Sequence, residues 1–332
     1  MTESARPQPD RELALDLVRT TEVAAIAAGR WTGRNEKESG DGAAVDAMRS
    51  SLEDVHMDGV VVIGEGEKDE APMLFNGEHV GSGDPPEVDI AVDPVEGTRL
   101  LAEGRPGATA LIAAAPRGTM LDPGPMVYMM KYVVGEAAAG VVDIDAPVAD
   151  NLRRIAKALG KHPNDLTVVM LDRPRHHEMM AEVRAVGSRL RLIMDGDSPA
   201  ALLAAMPEYD YDVLLGIGGT PEGVATACAI RALRGDIVGR LWARDDAERA
   251  RAAELGYDLD EPLTIDRLVA SDNTFFAITG VTTGDLAAGV SYGPHGATTE
   301  SIVMRGASRT VRWVRARHDR SKLARFNALP RD

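Results

Sequence analysis

Val88-Asp89-Ile90-Ala91-Val92-Asp93-Pro94-Val95-Glu96-Gly97-Thr98 is a β-type apolar run that closes on two carboxylates three residues apart, then a glycine and a hydroxyl. That order delivers hard oxygen ligands to the rim of a sheet, a setting suited to phosphate chemistry with divalent metals. Pro94 has no N–H to give a central strand, so a turn is expected to begin there. Gly97 lets the backbone approach a ligand closely, and its amide and that of Thr98 can face an anion. Taken alone, the stretch also reads as an ordinary strand-to-helix turn with an acidic cap.

The segment upstream repeats the pattern. Gly59-Val60-Val61-Val62-Ile63 is a second strand-like run, and it ends in Gly64-Glu65-Gly66-Glu67-Lys68-Asp69-Glu70. In extended backbone Glu65, Glu67 and Asp69 share one face. A solvated acidic loop is the plain alternative. Two strands that each deliver a glycine-punctuated carboxylate cluster concentrate like charge, which costs stability unless cations relieve it. Mg²⁺ and Mn²⁺ prefer such oxygen ligands, so a site for two or more metals is expected.

The chain of 332 residues is 44% hydrophobic and 27% charged, enough for one large two-lobed domain or two ordinary ones. Its net charge of −15 disfavours a nucleic-acid partner but not a small phosphorylated substrate, because bound cations reverse the local field. The single cysteine, Cys228, excludes an intramolecular disulfide and cysteine-based zinc sites, and its apolar surroundings suit an inert buried thiol. The polar start Met1–Asp10 has no apolar signal region, and no run approaches a membrane span; a soluble, cytoplasmic protein is expected.

Residues 1–9 read as a disordered lead-in. Leu13, Leu17, Ala24, Ala28 and Trp31 share a helical face, and Gly33–Gly40 reads as a charged loop. Asp41 then occupies an N-cap position before a helix carrying Val45, Met48, Leu52 and Val55. Strands are expected at 59–63, 88–92, 107–115 and 127–134. A helix starts with Pro147 and closes at Gly160. Strands at 166–171, 190–194 and 213–217 alternate with helices at 177–186, 198–206 and 222–233, as in parallel βαβ units. A charged helix at 244–258 and β-rich stretches at 274–281, 286–292, 300–305 and 309–317 follow. The lobes are set at 10–145 (α+β, metal-binding) and 146–320 (α/β, with a β-rich end), with a tail at 321–332.

Open α/β sheets bind ligands beyond the carboxyl ends of their strands. Three such ends carry chemistry here: Arg173-Pro174-Arg175, Asp195-Gly196-Asp197, and Gly216-Ile217-Gly218-Gly219-Thr220-Pro221-Glu222-Gly223. Two guanidiniums split by a proline suit a phosphate, although a solvated basic turn is the alternative. The glycine-rich end lacks both the G-x-G-x-x-G order and a P-loop lysine, so it is a poor nucleotide fingerprint. Glu222 is either a helix cap or a metal ligand. His176 and His177 are expected at the surface. Arg305, Arg309, Arg312, Arg315 and Arg317 alternate with apolar residues, as on an edge strand or a contact with an acidic partner subunit.

These blocks, with Asp41-Gly42-Ala43-Ala44-Val45, Ile63-Gly64-Glu65-Gly66-Glu67, Glu70-Ala71-Pro72-Met73-Leu74 and Ser308-Arg309-Thr310, resemble the class II fructose-1,6-bisphosphatases. The Asp-Pro-Val-Glu-Gly-Thr block is also similar to the wider lithium-sensitive sugar and inositol phosphatases. The resemblance runs from about 11 to about 318, and its wording is nearest the actinobacterial members. It implies an α/β fold, a layered α-β-α-β-α sugar-phosphatase architecture. It also implies a metal held by Asp41 and Glu65, and a second held by Asp93, Glu96 and Glu222. By the same resemblance, substrate lies against Glu96, Gly97, Thr98, Tyr128, Arg173, Pro174, Arg175, Asp195, Gly196, Asp197 and Gly219, and Lys37, Asp69 and Thr98 serve turnover. The family's usual Gly-Asp before the lysine is here Asn35-Glu36, which leaves that loop's geometry open.

The expected activity is Mg²⁺- or Mn²⁺-dependent hydrolysis of the 1-phosphate of D-fructose 1,6-bisphosphate in gluconeogenesis, by a homo-oligomer, plausibly a tetramer. Alternatives are a dual enzyme that also takes sedoheptulose 1,7-bisphosphate, an inositol-monophosphatase-like phosphatase, and a non-enzymatic sugar-phosphate- or metal-binding regulator. Arg173 and Arg175 speak against the inositol phosphatase, which needs no clamp for a second phosphate. Thr98, Lys37 and Asp69 speak against the regulator.

Overall fold

A computed structural model describes residues 13–66 and 73–323. Asp69, the expected lead-in 1–9 and residues 324–332 of the expected tail 321–332 lie outside the described residues. The chain begins with α1 (Leu13–Gly29) and α2 (Lys37–Leu52), then β1 (Asp58–Ile63), β2 (His79–Val80), β3 (Glu87–Glu96), α3 (Thr98–Glu103) and β4 (Thr109–Pro116). It continues through β5 (Tyr128–Val134), α4 (Val148–Leu159), β6 (Thr167–Leu171), α5 (His177–Val186), β7 (Arg189–Ile193), α6 (Asp197–Ala205) and β8 (Val213–Gly219). Then come α7 (Thr220–Leu233), β9 (Asp236–Leu241), α8 (Asp246–Glu254) and α9 (Ile265–Leu268). The last elements are β10 (Phe275–Gly280), β11 (Ser291–Gly293), β12 (Gly296–Arg305), β13 (Thr310–Asp319) and α10 (Arg320–Leu323). The mixed α/β content agrees with the expected fold class.

Two compact units result: Met1–Met120 with Ser271–Asp332, and Leu121–Ala270. This departs from the division at 145/146. β5 pairs with β8 and β9 in the second unit's sheet, and the C-terminal strands return to the first unit, where β10 pairs with β4. An apolar run such as Tyr128–Val134 carries no local mark of which sheet will take it.

The first unit's sheet runs β11-β12-β10-β4-β3-β1-β2, with β13 on β12. β10 is buried along its whole length and β4 along all but its last residue, so both read as continuous apolar runs rather than alternating ones. Phe275 and Phe276 are fully buried, each contributing about 1.5–3 kcal/mol of transfer free energy. α1 is buried nearly all round because it packs on α2 and across the sheet. β3 does not stop at Pro94. Its register with β4 slips between Asp93↔Leu111 and Glu96↔Thr109, and its pairing with β1 has already ended at Ala91. A bulge beyond the last β1 partner needs no N–H from Pro94, so the strand carries its carboxylates further than the turn reading allowed.

In the second unit the order is β7-β6-β8-β5-β9. β6 runs parallel to β7 and β8, while β5 is antiparallel to β8 and β9. The carboxyl ends of β6, β7 and β8 therefore share one edge with the start of β5. The expectation of parallel units holds for three strands; β9, closed by Leu263 against Gly239, was not expected. Tyr132, Leu152, Ile155, Met170, Val183 and Leu215 centre its core.

Candidate active site

β1 and β3 are parallel, and the candidate residues Glu65, Asp93 and Glu96 fall at or just past their carboxyl ends. α2 begins at Lys37, so Asp41 is not the N-cap but lies one turn inside the helix. The i,i+4 spacing puts Lys37 and Asp41 on one helical face. The loop before it is tied to α3: Gly33 N–H donates to Leu101 O and Asn35 N–H to Ala102 O. Asn35 sits at φ 59, a conformation that glycine adopts freely and that asparagine tolerates best among the other residues. Asn35 can therefore hold this left-handed position.

Asp41 and Glu65 are electrostatically coupled. Burial raises the Asp41 carboxyl, with Lys37 pulling the other way, and burial followed by the Asp41 charge pushes Glu65 up to about 7. A desolvated carboxylate raised further by its neighbour's charge favours a bound cation. Glu65 stands just past the end of β1, and its N–H donates to Leu74 O. At β3, Asp93 Oδ1 accepts from Val95 N–H at 3.1 Å and Glu96 is 5% exposed. Gly97 holds φ 86 between them and Thr98, the first residue of α3.

In the second unit the sheet register sets Tyr128 opposite Gly219. Arg175 lies over the Tyr128 ring, 5.0 Å from its centroid, and its Nε and Nη2 donate to Ile217 O. Trp242 meets the same ring edge-on at 6.2 Å. Arg173, one residue before the Pro174 turn, pairs through Nη2 with Asp195 at 3.3 Å. The guanidiniums are therefore held in place before any ligand arrives. Gly196, in the left-handed region at φ 80, turns the chain from Asp195 into α6, where Asp197 is the first residue.

His176 is fully buried, contrary to the surface placement expected for it. Its Nε2 accepts from Ile217 N–H at 2.8 Å, which leaves Nδ1 to donate to Leu171 O at 2.7 Å. That tautomer is neutral, and burial lowers the ring's pKa. The glycines of β8 explain themselves here: they belong to the strand, not to a phosphate loop. A Cβ at Gly216 would lie 3.1 Å from the His176 ring, one at Gly218 2.1 Å from Asp197 Oδ2, and one at Gly219 1.6 Å from Glu222 Oε2.

Glu222 lies in the first turn of α7, behind the N-cap Gly219. Its Oε2 is buried without a hydrogen-bond partner, and its carboxyl is raised by burial and then by Asp197, with Lys131 opposing. Lys131 was not singled out from sequence. It is 3% exposed in the middle of β5, with Nζ 2.6 Å from Asp197 Oδ2 and 2.9 Å from Gly219 O. A lysine inside the apolar run Met129–Val133 was the available signal.

Among the described residues no group of three or more His, Cys, Asp or Glu side chains is gathered for a metal. The Asp41–Glu65 pair, and the orphaned Glu222 oxygen cradled by Gly219, nevertheless fit hard divalent cations. Among those residues, too, no helix is long and apolar enough to cross a membrane.

Residues 11–318 match the family described as bacterial fructose-1,6-bisphosphatase, glpX-encoded. The chain is 47% identical over 321 residues to fructose-1,6-bisphosphatase 1 class 2 of Escherichia coli strain K12, covering 93% of this chain and 95% of that relative. It matches the fructose-1,6-bisphosphatase class 2 of Shigella flexneri to the same extent. The chain belongs to this family of bacterial fructose-1,6-bisphosphatases, a metal-dependent group.

Proposed function

We propose that the protein hydrolyses the 1-phosphate of D-fructose 1,6-bisphosphate to fructose 6-phosphate and phosphate, as a step of gluconeogenesis in the cytoplasm. The observation that carries this is the second unit's sheet edge. There Tyr128, Arg173, Arg175 and Asp195 form a preorganised receptor for a phosphate and its sugar, on a chain 47% identical to named fructose-1,6-bisphosphatases.

Asp41, Glu65, Asp93, Glu96 and Glu222 would hold Mg²⁺ or Mn²⁺, two or more in number. When bound, such cations neutralise phosphate oxygens and the leaving alkoxide and acidify a water. Thr98 would hold the attacking water by hydrogen bonding, and the carboxylate of Asp41 or Asp69 would take its proton. Lys37 offsets the charge of Asp41. Glu96, Gly97 and Thr98 line the cleaved phosphate. Arg173 and Arg175 grip the other phosphate, Pro174 fixes their turn, and Asp195, Gly196 and Asp197 with Gly219 meet the sugar. The protein acts as a homo-oligomer.

Phosphate release should be measured from fructose 1,6-bisphosphate, sedoheptulose 1,7-bisphosphate and inositol 1-phosphate, each with Mg²⁺ and with Mn²⁺. Turnover of the first substrate is expected, with little on inositol 1-phosphate, which offers no second phosphate to the arginines. Release from inositol 1-phosphate alone would overturn the assignment. Equal efficiency on both bisphosphates would make the enzyme a dual one.

A further inference from the structure

Lys131 is a charged side chain placed where an apolar one would satisfy the fold. It occupies the centre of β5, between Met129 and Val133, both fully buried, and is itself 3% exposed. Burying an ammonium is unfavourable unless it is paired and hydrogen-bonded. Lys131 meets both conditions with groups from two different elements: the Asp197 carboxylate at the start of α6 and the Gly219 carbonyl at the end of β8. Gly218 keeps the space open, since a Cβ there would lie 2.1 Å from Asp197 Oδ2 and 3.3 Å from Lys131 Nζ.

We infer that Lys131 is a positioning residue for sugar recognition: its ammonium locks Asp197 and the Gly219 carbonyl into one fixed acceptor arrangement. The inference rests on the substrate assignment above, in which Asp197 and Gly219 meet the sugar. An Asp197 carboxylate with one oxygen held at 2.6 Å cannot turn away from a hydroxyl.

The test is steady-state kinetics on Lys131→Met, Asp197→Asn and the double variant, with fructose 6-phosphate affinity measured by calorimetry. Lys131→Met should raise KM for fructose 1,6-bisphosphate roughly tenfold and weaken fructose 6-phosphate binding by a similar factor, with kcat within about threefold of the parent. The half-activating Mg²⁺ concentration should not rise, because losing a cation does not weaken the binding of another. The double variant should be no worse in KM than the worse single variant, since the two side chains act as one unit. A fall in kcat with KM and product affinity unchanged would overturn the inference. So would KM effects that multiply in the double variant. If Lys131→Met does not fold, Lys131→Gln and the double variant, which removes both charges together, carry the same comparison. Absence of parental turnover would sink the assigned reaction, whereas a parent-to-variant ratio near one in an active enzyme would sink the role of Lys131.

Discussion

Thr98 opens α3 directly behind Glu96 and Gly97, so its hydroxyl sits on the backbone that carries two proposed cation ligands. Thr98→Ser keeps the hydroxyl and should retain measurable turnover. Thr98→Ala should lose roughly 100-fold or more in kcat at little change in KM, as expected of a group that acts in the transition state. Equal rates in the two variants would reduce Thr98 to a helix-start residue. Glu22 poses a separate question at the same scale. It is buried in α1, accepts from Thr299 Oγ1 at 3.4 Å and lies 4.0 Å from His318 Nε2. Burial pushes its carboxyl up to about 7, against smaller opposing effects of Thr299 and Arg19. Between the ordinary value of 4.5 and about 7 the folded protein keeps a proton that the unfolded chain has released. The stabilisation is full below 4.5 and is lost as pH rises through 7, by at most about 3 kcal/mol. Glu22→Gln should therefore melt higher than the parent at pH 8 and close to it at pH 5. The opposite order at pH 8 would mean an ionised Glu22 held by His318.

Among the elements, β8 and α7 show how strand glycines shape a receptor. Gly219 has ordinary backbone angles, so Gly219→Ala is not strained. Its Cβ instead collides with the Glu222 carboxylate, at 1.6 Å from Oε2 and 2.3 Å from Cδ. Displacing a proposed ligand by about an ångström should cost roughly 100-fold in activity, with melting little changed. Full activity in Gly219→Ala would remove Glu222 from the ligand set. Most of the elements were legible in the sequence, down to α5 at His177–Val186, because apolar period and turn residues agree there. Pro94 misled because its local chemistry says stop, while the bulge and the absence of a β1 partner permit continuation. Asp41 resembled a cap because Gly40 and Gly42 flank it, yet α2 begins four residues earlier at Lys37. The candidate residues on β6, β7 and β8 were legible from strand ends alone. The buried partners His176 and Lys131 were not, since a polar residue's partner across a sheet leaves no mark in its own neighbourhood.

At the scale of the whole molecule, a net charge of −15 is not evenly spread. In one unit burial and the Asp41 charge raise the Glu65 carboxyl, and in the other burial, then Asp197 and Asp195, raise that of Glu222. A cation that binds only the folded state stabilises it, so saturating Mg²⁺ should raise the melting temperature by roughly 5 °C or more. Glu65→Gln should melt above the parent in chelator and respond less to Mg²⁺. A full Mg²⁺ response in that variant would exclude Glu65 as a ligand. The layout of the units also sets an order of birth. β10 fills the gap between β4 and β12, but it is made only after all of Leu121–Ala270 has left the ribosome. Until then β4 waits with one bare apolar edge, while the segment between, which owns a complete sheet and core, is free to condense. The protein matures from its middle outward, and a nascent chain stalled just short of Phe275 is the form most in need of a chaperone.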